Sequence, residues 1–384
     1  MNDVKRVLIV GMTNNYGGLE SVIMNIYRNI DRSKIQFDFL ASKTGIACED
    51  EIKSLGGEIF KLKTRRRNLI KNKKEIDNFF KNNVSKYVAV WYHACALSNL
   101  MVVKSAKKYH AQRIILHSHS SHNLKGVISG IFHFFNKLLV PKIATDYWSC
   151  GELASKWFYS KKLIQSNKHK IINNAINLEN FRFNEQTRNK LQEELNIHNS
   201  FVLGHVGRFR KEKNHEFLIQ VFEKIKKEKP NSKLMLLGSG EDFAKVKQQV
   251  KDLSLENDVL MLGTKQDIYN YYQAMDCFVF PSLYEGFPVS LIEAQTSGLS
   301  IFVADTVTQK TKIIDEAYFL SLQNSADEWA NFILKNYKKI NRSQQFEKVE
   351  QAGFNIKTVV KEIADDLLKE GKWQWLKKRY TIFG

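Results

Sequence analysis

The chain is 384 residues long, and 43% of its residues are hydrophobic while only four are proline. This length and composition exclude a largely disordered protein and predict two folded domains of roughly 150 to 200 residues each. The formal net charge is +19, and most of the excess lies in residues 1–180, which hold 29 Lys or Arg against 13 Asp or Glu, so an anionic lipid surface or a nucleic acid is the expected kind of partner.

The first half of the chain alternates short apolar runs with helical periodicity, the pattern of a parallel α/β sheet. Strands are predicted near 4–10, 36–41, 87–92, 112–117 and 146–150. Helices are predicted near 19–29, 70–81, 98–109 and 152–158. The first strand lacks the long apolar region of an export leader, and the apolar stretch 126–140 is shorter than the roughly 20 residues that span a bilayer. We therefore expect a cytoplasmic protein without a transmembrane helix.

The alternation breaks at residues 181–199, which are polar and are predicted to link two domains, 1–180 and 200–368. A second alternation follows, with strands predicted near 201–206, 233–238, 259–262, 277–280 and 300–303. A helix is predicted at 355–368, and residues 369–384 are expected to pack back onto the first domain. The sequence therefore predicts an α/β protein made of two doubly wound, Rossmann-like domains.

Two features of the first domain follow predicted strands, at the edge of the sheet where open α/β folds bind ligands. Gly17 and Gly18 open the first helix without the spacing of a dinucleotide-binding or Walker A loop, so we predict a loop that lets a ligand approach the backbone. His117, His119 and His122 lie within six residues after another strand. Their spacing is not that of a metal site, which favours hydrogen bonding over metal ligation and leaves a structural role as the alternative.

In the second domain, the loop from Gly207 to Asn214 places cations directly after the strand 201–206. Arg208 can bind a diphosphate through two hydrogen bonds and Lys213 adds a second positive charge, so together they can stabilise a departing nucleotide diphosphate. The alternative is a solvated charged loop. Gly238 follows the next strand and would let the backbone approach the same ligand.

The strongest motif follows the strand 277–280 and comprises Glu285, Gly286, Phe287, Pro288, Val289 and Glu293. Pro288 suits the start of a helix, whose free amides would form an anion site. Glu293 can accept two hydroxyl hydrogen bonds from a ribose, and Glu285 can reach a second polyol. Alone, this spacing also fits a capped surface helix with two solvated glutamates. No D-x-D motif occurs in the chain, so Arg208 and Lys213 are predicted to replace a metal, and no metal or other cofactor is expected.

Taken in this order, the motifs resemble glycosyltransferase family 4, the retaining enzymes of GT-B fold, and within it the bacterial exopolysaccharide and capsule enzymes. The likeness covers most of the chain, including 174–177 and 238–241. It implies two Rossmann-like domains with a cleft between them and a nucleotide diphosphate sugar as donor, which we expect to be a UDP-sugar. It also implies transfer with retention of the anomeric configuration, by front-face attack with a diphosphate oxygen as the base.

The resemblance implies catalytic roles for His119, Arg208, Lys213 and Glu285. Arg208 and Lys213 would hold the donor diphosphate, Glu285 the transferred sugar and Glu293 the ribose. His119 would lie near the hydroxyls of the sugar and the acceptor. Donor-binding roles are implied for Gly17, Gly18, Gly238, Gly286, Phe287, Pro288, Val289 and Glu293.

A basic run and an apolar helical face in the first domain suit an anionic membrane surface. The basic run holds Lys61, Lys63, Arg65, Arg66, Arg67, Lys71, Lys73 and Lys74. The apolar face holds Val127, Ile128, Ile131, Phe132, Phe134, Phe135, Leu138 and Leu139, flanked by Lys125, Lys137 and Lys142. We expect peripheral docking at the inner face of the cell membrane, on a lipid-linked glycan acceptor. The alternative is a buried helix beside a soluble charged loop.

Two functions of other kinds fit parts of the pattern. Nucleic-acid binding would use the basic half, but its aromatic residues follow helical or strand periodicity and no recognised binding motif is present, so no nucleic-acid partner is expected. A non-catalytic partner subunit of another glycosyltransferase would keep the fold. The presence of Arg208, Lys213, Glu285 and Glu293 together disfavours that reading.

Overall fold

A computed structural model describes residues 4–64, 68–120, 126–285 and 287–369. The chain divides into two compact units. The first unit contains the described residues up to Ala175 together with those from Ile356 onward, and the second contains Ile176–Asn355. Within the described part of the chain, no helix combines the length and the apolar composition needed to cross a bilayer.

The first unit is built on a seven-stranded parallel sheet in the order β3-β2-β1-β4-β5-β6-β7. Its strands are β1 (Lys5–Val10), β2 (Ile35–Ala41), β3 (Ile59–Lys61), β4 (Tyr87–Ala94), β5 (Ile114–Ser118), β6 (Asp146–Ser149) and β7 (His169–Ile171). Its helices up to this point of the chain are α1 (Gly18–Asn29), α2 (Glu49–Ser54), α3 (Leu69–Asn83), α4 (Met101–Lys108), α5 (Val127–Lys137), α6 (Val140–Ile143), α7 (Glu152–Phe158) and α8 (Lys161–Ile164). The strand order reverses between β1 and β4.

Both faces of this sheet are covered, because its strands are apolar on both sides. In β1, Val7 and Ile9 enter one core cluster, which also contains Ile23 of α1. Leu8 and Val10 point the other way, into a cluster that helices α3 and α4 complete. This alternation follows from the two-residue period of a strand and explains why β1 reads as one continuous apolar run.

The second unit has a six-stranded parallel sheet in the order β10-β9-β8-β11-β12-β13. Its strands are β8 (Phe201–Val206), β9 (Ser232–Leu237), β10 (Val259–Gly263), β11 (Cys277–Phe280), β12 (Ser300–Ala304) and β13 (Ala317–Leu320). Its helices are α9 (Leu178–Phe181), α10 (Glu185–Glu194), α11 (His215–Glu228), α12 (Phe243–Asp252), α13 (Ile268–Ala274), α14 (Val289–Thr296), α15 (Ala326–Asn336) and α16 (Gln345–Gln351). Here the order reverses between β8 and β11, and in such sheets ligands bind beyond the carboxyl ends of the strands at that switch point.

The polar segment 181–199, predicted as a linker, instead belongs to the second unit and contains α10. Arg188 of α10 donates to the carbonyl oxygens of Gln273 and Met275 and pairs with Asp276, and Gln192 donates to the carbonyl of Ala274. The helix is therefore held by polar side chains rather than by an apolar stripe. For that reason its sequence resembles that of a linker.

The last described helix, α17 (Ile356–Leu368), confirms the predicted helix but packs in the first unit, whereas the prediction placed it in the second domain. Val360 and Ile363 enter the core cluster beneath α1. Asp366 forms ion pairs with Arg113 and Lys170 of the same unit. The expectation that residues 369–384 pack back onto the first domain falls, after Lys369, outside the described residues.

Candidate active site

Loops that follow β8 and β9 pack backbone against backbone at the carboxyl edge of the second sheet. The amide of Gly207 donates to the carbonyl of Leu237, and the amide of Phe209 donates to the carbonyl of Ser239, both at 3.0 Å. Gly238 has a φ of +138°, and a Cβ there would lie 2.0 Å from the carbonyl oxygen of Gly207. Packing alone therefore requires glycine at 238, and its contact with a donor stays a prediction.

Lys213 and Glu285 meet where the strand order of the second sheet reverses. Lys213 Nζ lies 2.6 Å from Glu285 Oε1, and both side chains are only 16% exposed. The same ammonium lies 4.6 Å from the centre of the Phe280 ring, a cation–π contact. Backbone bonds fix the two loops to each other, because the amide of Leu283 donates to the carbonyl of Glu212 at 2.8 Å. Two of the predicted catalytic residues are thus brought together.

Arg208 lies at the start of the same loop and is partly buried. Among residues 4–64, 68–120, 126–285 and 287–369, no hydrogen-bond or ion-pair partner of its guanidinium is found. Lys213 folds back towards this start of the loop, since a Cβ on Gly207 would lie 3.2 Å from Lys213 Cδ. The Lys213–Glu285 pair is neutral as a whole, so Arg208 gives the loop after β8 a further positive charge that Glu285 does not offset.

Glu293 lies in α14, and its environment changes its acidity. Tyr272 of α13 donates its hydroxyl to Glu293 Oε2 at 2.7 Å. Burial raises the pKa of Glu293 to about 7, and the Tyr272 hydrogen bond opposes that shift without cancelling it. The side chain is therefore part protonated and part ionised near neutral pH. Sequence reasoning did not identify Tyr272, which carries no motif of its own.

The amino end of α14 points its first amides away from the helix. The helix begins at Val289 with Pro288 in the preceding position, so the amides of Val289 and Ser290 have no carbonyl partner within the helix. Such amides favour an anion. Phe287 stacks on Phe354 with ring centres 5.5 Å apart, which commits its side chain to packing and leaves only its backbone for a ligand. Gly286 lies outside the described residues.

Three histidines cluster at the carboxyl edge of the first sheet. His93 of β4 and His117 of β5 are neighbours in register, and His119 follows β5. His93 Nδ1 and His119 Nε2 share a hydrogen bond of 2.9 Å, and Trp91 donates its indole N–H to His117 Nδ1 at 3.3 Å. Burial lowers the pKa of all three imidazoles, that of His119 to about 3. The predicted residue His119 is therefore a neutral imidazole held by His93, which the sequence analysis did not identify.

The three ring nitrogens lie within 4.8 Å of one another, close enough to consider a metal ion. Neutral imidazoles are metal ligands, and the Nε2 atoms of His93 and His117 are buried with no hydrogen-bond partner in the part of the chain that the structure describes. However, the 2.9 Å separation of His93 Nδ1 and His119 Nε2 is shorter than the roughly 3.3 Å between two nitrogens of a tetrahedral zinc site. The Trp91 bond also places the proton of His117 on its Nε2. These contacts fit hydrogen-bonded imidazoles better than a metal centre.

The loop after β1 forms the neighbouring part of this edge. Gly11 has a φ of +126°, and a Cβ there would lie 2.2 Å from the carbonyl oxygen of His93, so glycine allows the loop to pack against the end of β4. Glu20 Oε1 accepts hydrogen bonds from the amide and the hydroxyl of Thr13, both at 2.9 Å. A Cβ on Gly18, by contrast, would meet nothing within 4 Å. Packing does not require glycine at 18, which leaves space above the start of α1.

The chain is similar to known sugar-transferring proteins. Residues 187–351 match the family described as "Glycosyl transferases group 1". The chain is 32% identical to the "Putative glycosyltransferase EpsF" of Bacillus subtilis (strain 168) over 340 residues, which cover 86% of this chain and 87% of that protein. It is 31% identical to the "UDP-Gal:alpha-D-GlcNAc-diphosphoundecaprenol alpha-1,3-galactosyltransferase" of Escherichia coli over 173 residues, 44% of this chain and 45% of the other.

The fold is similar to that of a crystallised Anabaena protein, Alr3699/HepE, solved in complex with UDP and glucose. The TM-score is 0.77 at 19% sequence identity, and the match covers 95% of this chain and 99% of the Anabaena chain. At this identity the likeness speaks for the fold alone. Together with the two parallel sheets described above, it confirms the predicted GT-B fold.

Proposed function

The chain belongs to the group 1 glycosyltransferases, of the family 4 type with the GT-B fold, and from this premise we propose that it transfers a sugar from a UDP-sugar to a lipid-linked glycan, with retention of the anomeric configuration. The observation that carries the proposal is the Lys213–Glu285 pair at the switch point of the second sheet, in a loop whose Arg208 guanidinium has no partner among the described residues. A diphosphate supplies the anion that this arrangement fits.

In the proposed donor complex, Arg208 and Lys213 bind the diphosphate and stabilise the negative charge that grows on it as the bond to the sugar breaks. The free amides at the start of α14 add to this positive environment. Glu293 accepts hydrogen bonds from the ribose hydroxyls, and Glu285 binds hydroxyls of the transferred sugar. Because these cations and amides supply the stabilisation, we propose that turnover needs no divalent metal.

The proposed identity of donor and acceptor draws on the relatives. The Escherichia coli relative is named for a UDP-galactose donor and a diphosphoundecaprenol-linked acceptor, and the Anabaena protein of the same fold was crystallised with UDP and glucose. We extend to this chain a UDP-sugar donor and a polyprenyl-diphosphate-linked glycan acceptor, which would place it in the synthesis of a cell-surface polysaccharide at the inner face of the membrane.

His119 is proposed to contact the transferred sugar and the acceptor as a neutral hydrogen-bonding group. Burial lowers the pKa of this imidazole to about 3, which favours the neutral form near pH 7 over a cationic acid. In the proposed step, the bond from the anomeric carbon to the diphosphate oxygen breaks, a bond to the acceptor oxygen forms on the same face, and the acceptor proton passes to the leaving diphosphate. A Cβ on Gly18 would meet nothing within 4 Å, which supports the proposal that this glycine lets a donor approach the backbone.

The test is UDP release from a panel of UDP-sugars, with and without a polyprenyl diphosphate glycan, followed by proton NMR of the product linkage. We expect acceptor-dependent release with one sugar, an anomeric configuration equal to that of the donor, and unchanged turnover in excess EDTA. An inverted product would contradict the proposed retention, and strict dependence on magnesium or manganese would contradict the proposed role of the cations. Turnover unchanged in both Arg208→Ala and Glu293→Ala would remove the proposed site.

A further inference from the structure

Helix α5 turns an apolar side towards solvent and a polar side towards the protein, the reverse of the usual arrangement. Seven of the large apolar side chains on α5 and the residue after it are exposed by more than half: Val127, Ile128, Ile131, Phe132, Phe134, Phe135 and Leu138. Their spacing of three and four residues places them along one side of the helix. A surface helix of a globular protein normally turns such a side towards the core.

The inward side of α5 is attached by polar side chains. His133 is 2% exposed; its Nδ1 accepts from the amide of Leu97 at 3.0 Å, and its Nε2 lies 3.0 Å from the carbonyl oxygen of Trp157. Asn136 donates to the carbonyl of Leu97 at 2.7 Å. Lys137 donates to the carbonyl of Trp157 at 2.9 Å, so its ammonium faces inward and does not flank the apolar side as predicted. These bonds fix which side of the helix faces outward.

The part of the chain that carries this helix is basic, and its charge favours one kind of cover. Residues 91–175 contain 12 Lys or Arg and only two acidic residues, Asp146 and Glu152. Three of these cations, Lys108, Arg113 and Lys170, are paired with carboxylates, and the remainder leave the segment with a positive net charge. A second copy of the chain would bring a like-charged surface against this one, which opposes self-association through α5. An anionic lipid surface offers both an apolar layer for the exposed side chains and negative head groups for the surrounding cations.

We propose that the exposed apolar side of α5 inserts into the head-group boundary of an anionic membrane and thereby anchors the first unit to it. This inference rests on the proposed function only for the purpose of the anchor, which would give access to a lipid-linked acceptor. The surface itself is argued from exposure, inward hydrogen bonds and charge. It is expected to bind lipid with no donor or acceptor present.

The experiment is flotation of the full-length protein with vesicles of phosphatidylcholine alone and of phosphatidylcholine with about one third phosphatidylglycerol. The test variant is Ile131→Ser combined with Phe135→Ser, which changes two outward side chains and none of the inward bonds. The matched control is Phe332→Ser, a partly exposed aromatic of α15 in the second unit. Circular dichroism and UDP binding show that each variant is folded and keeps its donor site.

We expect the wild type and the control to float with the anionic vesicles at low ionic strength, and the double variant to bind at least about tenfold more weakly. Equal flotation of the double variant and the wild type would overturn the proposal, as would the absence of wild-type binding to anionic vesicles. A concentration-dependent dimer abolished by the same two changes would assign the face to a second copy instead. If a variant ending at Lys369 bound vesicles much more tightly than the wild type, the exposed side of α5 would be assigned to the chain's own last residues. A wild-type protein that floats with anionic vesicles but releases no UDP from any donor would contradict only the proposed function.

Discussion

Lys213 and Glu285 form an ion pair although they belong to loops that follow different strands, β8 and β11. Nζ and Oε1 are 2.6 Å apart, and the ammonium also rests on the Phe280 ring. In the proposed donor complex the pair would set the charge that a diphosphate meets, because Glu285 would offset one of the two cations of the site. We therefore expect its two members to have opposite effects on binding a nucleotide diphosphate, although both are proposed to act in transfer.

Glu285→Gln is expected to separate binding from turnover. Loss of the carboxylate leaves Lys213 without its anion, so the affinity for UDP should stay the same or increase. Turnover should fall by about 100-fold because the contact with the transferred sugar is weakened. Calorimetry with UDP and initial rates of UDP release measure the two effects. Glu212→Gln is the control, since Glu212 lies next to Lys213 and pairs with Arg210, at 3.9 Å. Weaker UDP binding with normal turnover would contradict the assignment of Glu285.

Arg208→Ala is expected to weaken UDP binding by roughly 10- to 100-fold, the usual effect of losing charge-assisted hydrogen bonds to a phosphate. Uridine binding should be unaffected, because the guanidinium is proposed to contact the diphosphate and not the nucleoside. Arg210→Ala, a change of an exposed arginine two residues along, is the control. A variant that lost uridine affinity equally would indicate a collapsed site rather than a lost phosphate contact.

The strands with apolar runs were predicted from the sequence, including β6 and β11 with four residues each, whereas three short strands at the sheet edges were not. β1 and β8 were predicted to within one residue, since continuous runs such as 7–10 report a strand covered on both faces. β3, β7 and β13 have only three or four residues each and lie at sheet edges, so they hold too little periodicity to detect. The position of α17 depends on tertiary contacts of Asp366 with residues some 200 positions earlier, which no local pattern contains.

The candidate site could be proposed from the sequence where a charged residue follows a strand, as with Arg208 and Lys213. Residues that only contact a proposed site residue could not be identified in this way. Tyr272 and His93 touch predicted residues, Glu293 and His119, only because neighbouring elements bring them there. The sequence offered one signal for His93: it is a polar residue at the carboxyl end of β4, the strand next to β5 with its histidines.

Glu293→Gln is expected to stabilise the protein at alkaline pH and much less at about pH 5. The pKa of Glu293 is raised from 4.5 to about 7, so between these values the folded state binds more protons than the unfolded state. Stability contributed by this group therefore falls as pH rises through that range, by up to about 3 kcal/mol. A neutral amide of the same shape escapes that loss. Urea unfolding of wild type and variant at about pH 5 and pH 8 measures the difference, and an equal difference at both values would contradict the raised pKa.

The same carboxyl group predicts a pH dependence of donor binding. Only ionised Glu293 accepts two hydroxyl hydrogen bonds, so wild-type affinity for UDP should increase by up to roughly tenfold between about pH 6 and pH 8. Glu293→Gln should lack this contribution and retain only the change due to the phosphates of UDP itself, which both proteins share. Parallel pH profiles of wild type and variant would show that Glu293 is not the group that titrates.

His119→Ala is expected to lower turnover by about 10- to 100-fold while leaving UDP affinity unchanged, because His119 is proposed to contact the transferred sugar and the acceptor and not UDP. Burial holds the pKa of this imidazole near 3, so it stays neutral between about pH 5 and pH 8. The pH–rate profile of the wild type should therefore show no ionisation that disappears in the His119→Ala variant. Any change of rate with a midpoint near pH 7 should be due to Glu293. His198→Ala, a change of an exposed histidine of the second unit, is the control. The contradicting result is a change of rate with a midpoint near pH 6.5 that is present in the wild type and in Glu293→Gln but absent from His119→Ala. It would show that the imidazole titrates during turnover, so that His119 acts as an acid or base rather than as a neutral hydrogen-bonding group.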